Sequence, residues 1–202
     1  MEEGKLSSRD LVDACLERAT STTSEGARIF IHLFADAARA EADAIDRRRK
    51  AGVWTGPLGG IPISVKDLFD IRGFPTTAGS VVLSDAEPAS ADAGVVGRLR
   101  AAGAVIVGRT NMTEFAFSGL GLNPHYGTPA NPFDRNVRRI PGGSSSGAAV
   151  SVTDGMALGA IGTDTGGSVR IPAALCGLTG FKPTGRRISQ IGTLPLSTSL
   201  DS

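Results

Sequence analysis

Histidine and cysteine are scarce in this 202-residue chain, and the few present stand where the commonest side-chain chemistries cannot use them. Both histidines, His32 and His125, precede the serine-rich turns of the second half. The pattern G-x-S-x-G occurs as Gly143-Ser144-Ser145-Ser146-Gly147, but a nucleophile elbow of the α/β-hydrolase type needs its histidine after the serine in chain order. A serine–histidine triad on that elbow is therefore excluded, and any serine activated there must use another base. The two cysteines, Cys15 and Cys176, have no metal-binding or redox spacing and read as buried small hydrophobes. The polar start, Met1 to Lys5, offers no apolar run for a signal peptide or membrane span, so a cytoplasmic protein without membrane contact is expected. An excess of one charge is missing too. The formal net charge is +1, and the one basic run, Arg47 to Lys50, reads as a solvated helix end, so no nucleic-acid partner is implied. There is no internal repeat, low-complexity tract or heptad array, which makes a single domain over residues 1–202 the economical reading.

What the chain has in quantity is glycine, 27 residues, clustered between Gly142 and Gly180. Two glycine-serine turns lie there, Gly142-Gly143-Ser144-Ser145-Ser146-Gly147 and Thr165-Gly166-Gly167-Ser168. Glycine lets a chain turn at φ values other residues avoid, and such turns leave backbone N–H groups free to meet negative charge. Phosphate binding and acyl transfer both use this feature. A Walker-type loop also needs a lysine directly after its last glycine, and neither turn has one, which disfavours phosphate.

The elements around these turns follow from periodicity. Ser7-Ser8-Arg9-Asp10 has capping-box spacing, with Leu11, Val12, Cys15, Leu16 and Ala19 on one helical face behind it. The apolar run Ile29 to Leu33 reads as a strand, with His32 a packed or edge histidine, and leads into an alanine-rich helix from about Ala35 to Ala51, closed by Gly52. Ile61 to Lys66 alternates like a strand with Pro62 at its start, which puts Ser64 and Lys66 on one side and Val65 on the other. The turn-rich stretch from Asp70 to Ser80 either walls a pocket or merely connects elements. A helix from about Ala91 to Ala102 ends at Gly103 and feeds the buried-strand run Ala104 to Gly108, giving the strand–helix–strand grammar of a sheet covered by helices.

G-G-S-S at Gly142 to Ser145, followed by G-T-D-T-G-G-S-V-R-I-P-A from Gly162 and preceded by G-I-P-I-S-V-K-D from Gly60, resembles the signature of the amidase signature family of Ser-Ser-Lys hydrolases. Gly108 to Phe115 and Asn131 to Asp134 resemble family segments as well, and the likeness runs from about Leu6 to Ser202. The resemblance implies an α/β fold with a mixed twisted sheet flanked by helices. It implies an enzyme that splits a carboxamide C–N bond without metal or cofactor. Ser168 would be the nucleophile, Ser144 the bridging serine held by a cis peptide, and Lys66 the base. Backbone N–H groups of Thr165, Gly166, Gly167 and Ser168 would form the oxyanion hole. Main-chain groups at Ala116, Phe117 and Ser118 would line the substrate pocket, with His125 only a loop hydrogen-bonding residue. Asp164 and Arg170, together with Ser145, would hold the two turns, unless Arg170 instead meets an acidic substrate.

The expected partner is a small amide, and a homodimer is compatible with the family. A glutaminase subunit of a tRNA-dependent amidotransferase is the alternative, although Phe117 to Gly121 resembles stand-alone amidases more, which counts against amidotransferase partner subunits. A non-catalytic remnant is a further alternative, and the intact Lys66, Ser144 and Ser168 argue against it. Family members generally run to more than twice this length, and the chain stops within a family segment at Ser202. The expectation is a family domain truncated after its first half, poorly folded and nearly inactive when expressed alone.

Overall fold

The computed structural model describes residues 6–202; the polar start lies outside them. Ser7 caps the first helix, α1 (Ser8–Thr20), through the anticipated reciprocal bonds with Asp10, and Val12, Cys15, Leu16 and Ala19 are its buried face. Leu11 lies only half-buried at the margin of that face. Ile29 closes a short helix, α2 (Gly26–Ile29), rather than opening the strand, so β1 is Phe30–Leu33. His32 sits on this edge strand, exposed, with its ring 4.9 Å from that of Phe34 and 5.0 Å from that of Phe74. The alanine-rich helix α3 (Ala35–Lys50) follows, with Gly52 at φ 72° just beyond it. Its last turn carries Arg47 to Lys50, of which Arg49 is bonded to Asp46, Ser8 and the Gly59 carbonyl.

Strand β2 (Pro62–Lys66) and strand β3 (Val105–Thr110) are parallel and joined through α4 (Gly94–Ala101), the anticipated crossover. This helix begins later than its alanine content suggests, because Ala93 is extended at ψ 147°. Helix α5 (Ser146–Thr153), strand β4 (Gly159–Ile161) and helix α6 (Arg170–Leu175) complete the order. The sheet runs β1-β3-β2-β4, with β1 antiparallel to β3 and β4 parallel to β2. It is a mixed sheet with helices on both faces. One core joins α1, α3 and α5 to Val105 and Val107, a second joins α4 to Ile63, Val65 and Ile106, and a smaller third gathers Leu68, Ala78, Met112 and Ala116.

The register of β2 against β3 slips by one residue, from Ile63 opposite Ile106 to Ser64 opposite Gly108. Gly108 is required there, since a Cβ would lie 2.6 Å from the Phe30 ring and 2.8 Å from the His32 carbonyl oxygen. All five residues of β2 are buried, so the alternation read in the sequence does not separate core from solvent. It separates an apolar face, Ile63 and Val65, from a sealed polar one, Ser64 and Lys66. Ser64 meets the Ser151 hydroxyl of α5 at 2.8 Å on that polar face. Among the described residues β4 pairs only with β2, and its other edge is open.

Helix α5 reaches the sheet through a close backbone contact at Gly147, whose N–H donates to the Asn111 carbonyl at 3.0 Å. A Cβ at Gly147 would stand 2.6 Å from the Ile29 carbonyl oxygen and 2.7 Å from that of Asn111, both backbone atoms with little freedom to retreat. Gly147→Ala is therefore expected to lower the unfolding free energy by about 1–3 kcal/mol, as overpacking does, measured by denaturant titration. Gly97→Ala on α4, where a Cβ meets nothing within 4 Å, serves as the control and should not destabilise.

Candidate active site

Three parallel strands, β2, β3 and β4, end on the same side of the sheet, and in open α/β sheets ligands bind beyond such carboxyl ends. Lys66 is the last residue of β2, and its side chain is fully buried. Its Nζ lies 2.7 Å from the Ser144 Oγ and 2.7 Å from the Thr163 Oγ1. No carboxylate pairs with it among the described residues. Desolvation pushes its pKa from 10.5 down to about 7, against the opposing pull of the Asp201 and Asp164 charges.

Ser144 is fully buried in the first turn, and its peptide bond to Gly143 is cis. The turn is fixed by backbone bonds: Gly143 N–H to the Gly119 carbonyl at 2.8 Å, and Thr113 N–H to the Ser144 carbonyl at 3.0 Å. The two serine turns meet through the backbone, where the Ser145 N–H donates to the Ser168 carbonyl at 3.2 Å. The Ser145 hydroxyl is buried without a partner among the described residues, so Ser145 joins the turns through its amide and not through its side chain. Ser168 is 8% exposed, and its hydroxyl makes no hydrogen bond among the described residues, to Ser144 included.

Asp164 organises the second turn. Its carboxylate accepts from the N–H groups of Gly167, Val169 and Arg170, and it forms a two-pronged pair with the Arg170 guanidinium at 2.8 and 3.0 Å. Desolvation tends to raise its pKa, but the Arg170 and backbone donors outweigh it and hold the carboxyl down at about 2. One correction to the sequence reading follows. The Gly167 N–H is already occupied by Asp164, so of the four amides anticipated for an oxyanion, those of Thr165, Gly166 and Ser168 are left. Arg170, committed to Asp164 on one side, is still about half exposed.

The anticipated substrate segment is bracketed by Thr113 and Gly119, both bonded to the first turn. Phe115 and Ala116 adopt left-handed conformations, φ 48° and 60°, Ala116 is buried and Phe117 is 82% exposed. The Ser118 hydroxyl accepts from the Leu120 N–H, and His125 bonds Glu114 at 2.7 Å, away from the serines. The stretch from Asp70 to Ser80 is tied down by buried Asp67, whose carboxylate takes the Gly79 N–H at 2.8 Å, the Thr77 hydroxyl and Arg109 at 2.9 Å.

Sequence reasoning missed Thr163, the second partner of Lys66. The G-T-D-T motif does not say which threonine meets the lysine, because the contact joins the end of β2 to a residue far along the chain. It also missed Asp201, which bonds the Thr165 hydroxyl from far along the chain.

The family model described as Amidase matches residues 10–202. The chain belongs to the amidase family. Among its relatives is a glutamyl-tRNA(Gln) amidotransferase subunit from Chloroflexus aurantiacus, 47% identical over 198 residues, which cover 98% of this chain and 40% of that one. Another is the AtzE subunit of 1-carboxybiuret hydrolase from Pseudomonas sp. strain ADP, 46% identical, covering 98% of this chain and 43% of that one. The solved structure of native peptide amidase from Stenotrophomonas maltophilia superposes with a TM-score of 0.89 at 42% identity, over all of this chain and 42% of its own. This amidase chain thus spans less than half the length of the relatives it matches. No helix among its described residues is long and apolar enough to cross a membrane.

The buried lysine gives stability a pH dependence of definite sign. Lys66 titrates at about 7 when folded and near 10.5 when unfolded, so between these values the unfolded chain holds the extra proton. Unfolding free energy should therefore rise with pH from about 7 to 10.5, by up to about 5 kcal/mol at roughly 1.4 kcal/mol per unit. Denaturant titrations across this range check it. Lys66→Met is expected to flatten the rise.

Proposed function

We propose that these residues form the reacting centre of an amidohydrolase, which splits a carboxamide C–N bond through an acyl-enzyme on Ser168. The observation that carries the reading is the sealed Lys66 amine 2.7 Å from the Ser144 hydroxyl, in a turn whose neighbour Ser145 is bonded to Ser168. A lysine with its pKa near 7 is substantially neutral at neutral pH and can accept a proton, which an ordinary lysine cannot.

In this reading the Ser168 Oγ attacks the amide carbonyl as its proton passes to the Ser144 Oγ, whose own proton passes to the Lys66 Nζ. The relay needs the Ser168 hydroxyl to turn toward Ser144 when substrate occupies the site. The free N–H groups of Thr165, Gly166 and Ser168 receive the oxyanion, a role for preorganised donors worth about 3–4 kcal/mol each where single donors have been removed. Collapse breaks the C–N bond, the leaving nitrogen takes the relayed proton, and water then releases the acid by the reverse route. Ala116, Phe117 and Ser118, which stand between Thr113 and Gly119, the two residues bonded to the first turn, line the amide's path, and Asp164 with Arg170 keeps the second turn in shape. The substrate is a small amide and the setting cytoplasmic. Full turnover requires a family-length domain around this centre, and two such chains can pair.

The likeness to an amidotransferase subunit favours one second reading, a glutaminase that works with partner subunits. Glutamine hydrolysis appearing only when a partner is added would select it over the stand-alone amidase.

A fluorophosphonate probe tests the assignment of roles. Ser168→Ala is expected to abolish covalent labelling, and Lys66→Ala to slow it by several orders of magnitude, as losses from such units do. Undiminished labelling of the Ser168→Ala chain, mapped to Ser144, would reverse the two serines.

A further inference from the structure

Asp201 is absent from the motifs that mark the site, yet its carboxylate is bonded into it. One oxygen accepts the Thr165 hydroxyl at the start of the second turn. The other accepts the N–H groups of Leu196 and Ser197 at 2.9 and 3.0 Å, closing residues 196–201 into a compact loop. The loop is fastened a second time beside this bond. Ser202 N–H donates to the Asp164 carbonyl at 3.1 Å, Asp164 N–H donates to the Ser202 carbonyl at 2.9 Å, and the Ser202 hydroxyl adds a bond of 3.0 Å to the same Asp164 oxygen. The segment before it is anchored where β2 ends, through Leu194 N–H to the Leu68 carbonyl.

We propose that Asp201 is a positioning residue of the serine–lysine centre: its carboxylate clamps the 196–202 loop onto Thr165, in the same turn as Ser168, and holds a negative charge whose field reaches Lys66. Two carboxylates bear on the lysine, Asp164 and Asp201, and both favour its protonated form. Their surroundings differ. Asp164 is neutralised by a two-pronged guanidinium, whereas Asp201 takes a hydroxyl and two amides and has no cation within ion-pair distance among the described residues. Asp201 is therefore the less compensated charge. The other groups packed around Lys66 are neutral, Ser144, Thr163, and Ser64 with Ser151 of α5, while Asp67 is turned to Arg109. Desolvation drives a buried lysine toward its neutral form, and a nearby negative charge limits how far. The loop clamp thus fixes the shape of the second turn and the proton affinity of the base together. This rests on the reading of Lys66 as the base.

The test follows Lys66 itself. The chain has four lysines, Lys5, Lys50, Lys66 and Lys182, so carbon-13 labelling of the lysine ε-carbons gives four signals to follow by NMR against pH. Lys66→Met assigns the one that matters. Asp201→Asn is expected to lower the Lys66 midpoint by about one unit, the order that loss of a neighbouring unit charge in a buried site produces, and Asp201→Glu to bring it back toward the unsubstituted value. Should Asp201→Asn fail to fold, Thr165→Val decides: it frees the carboxylate from the turn and is expected to move the midpoint in the same direction, by less. A midpoint unmoved in folded Asp201→Asn, or Asp201→Glu behaving like Asp201→Asn, overturns the proposal. Its failure is distinct from failure of the amidase reading, which shows in the unsubstituted chain as a Lys66 midpoint near 10.5. The shift between variants tests Asp201, and the absolute midpoint tests the base.

Discussion

A lysine sealed from water, with hydroxyls and no carboxylate in contact, is the constraint on which the rest of the structure turns. Burial of an ammonium is opposed by several kcal/mol, and the usual relief, a directly paired carboxylate, would keep the proton on and leave the group useless as a base. Here the relief is partial. Ser144 and Thr163 satisfy the nitrogen, and the nearby charges of Asp164 and Asp201 pull the pKa back up without touching it. The central position of β2, flanked by β3 and β4, is what removes the water.

The same demand explains the density of small residues around the site. To bring a serine turn onto the end of β2, α5 must approach the sheet more closely than side chains permit, and Gly147 lies against the carbonyls of Ile29 and Asn111 to allow it. Backbone does most of the remaining work. The first turn is held by Thr113 and Gly119, the second by amides gathered on Asp164, and the two are joined by a single amide-to-carbonyl bond between Ser145 and Ser168. Engaging the Gly167 amide in this way fixes the course of the second turn around Asp164.

Much of this could be read from the sequence because it is local. The capping box at Ser7, the strand–helix–strand run through α4 and the placing of Ser64 with Lys66 all depend on neighbours within a few residues. The boundaries that moved did so for local reasons too hidden for periodicity, such as the extended Ala93 ahead of α4 and the α2 turn that takes Ile29 from the strand. Alternation along β2 gave the right faces but suggested nothing about solvent, since a central strand buries both. What was not legible depends on tertiary contacts between distant segments. Thr163 reaching Lys66, Asp201 reaching Thr165, and Asp67 gathering Thr77, Gly79 and Arg109 each join residues that no motif spacing connects.

The central claim is that burial leaves Lys66 neutral enough, near pH 7, to draw the proton from Ser168 through Ser144. The most direct measurement is the rate of covalent labelling of Ser168 by an uncharged fluorophosphonate as pH is varied from about 6 to 9, with the adduct located by peptide mass spectrometry. The account predicts a rate that rises with pH, bends over at about 7 and is flat above, with the limb lost in Lys66→Met. A rate independent of pH across that range, or one still climbing steadily at about pH 9, would contradict it.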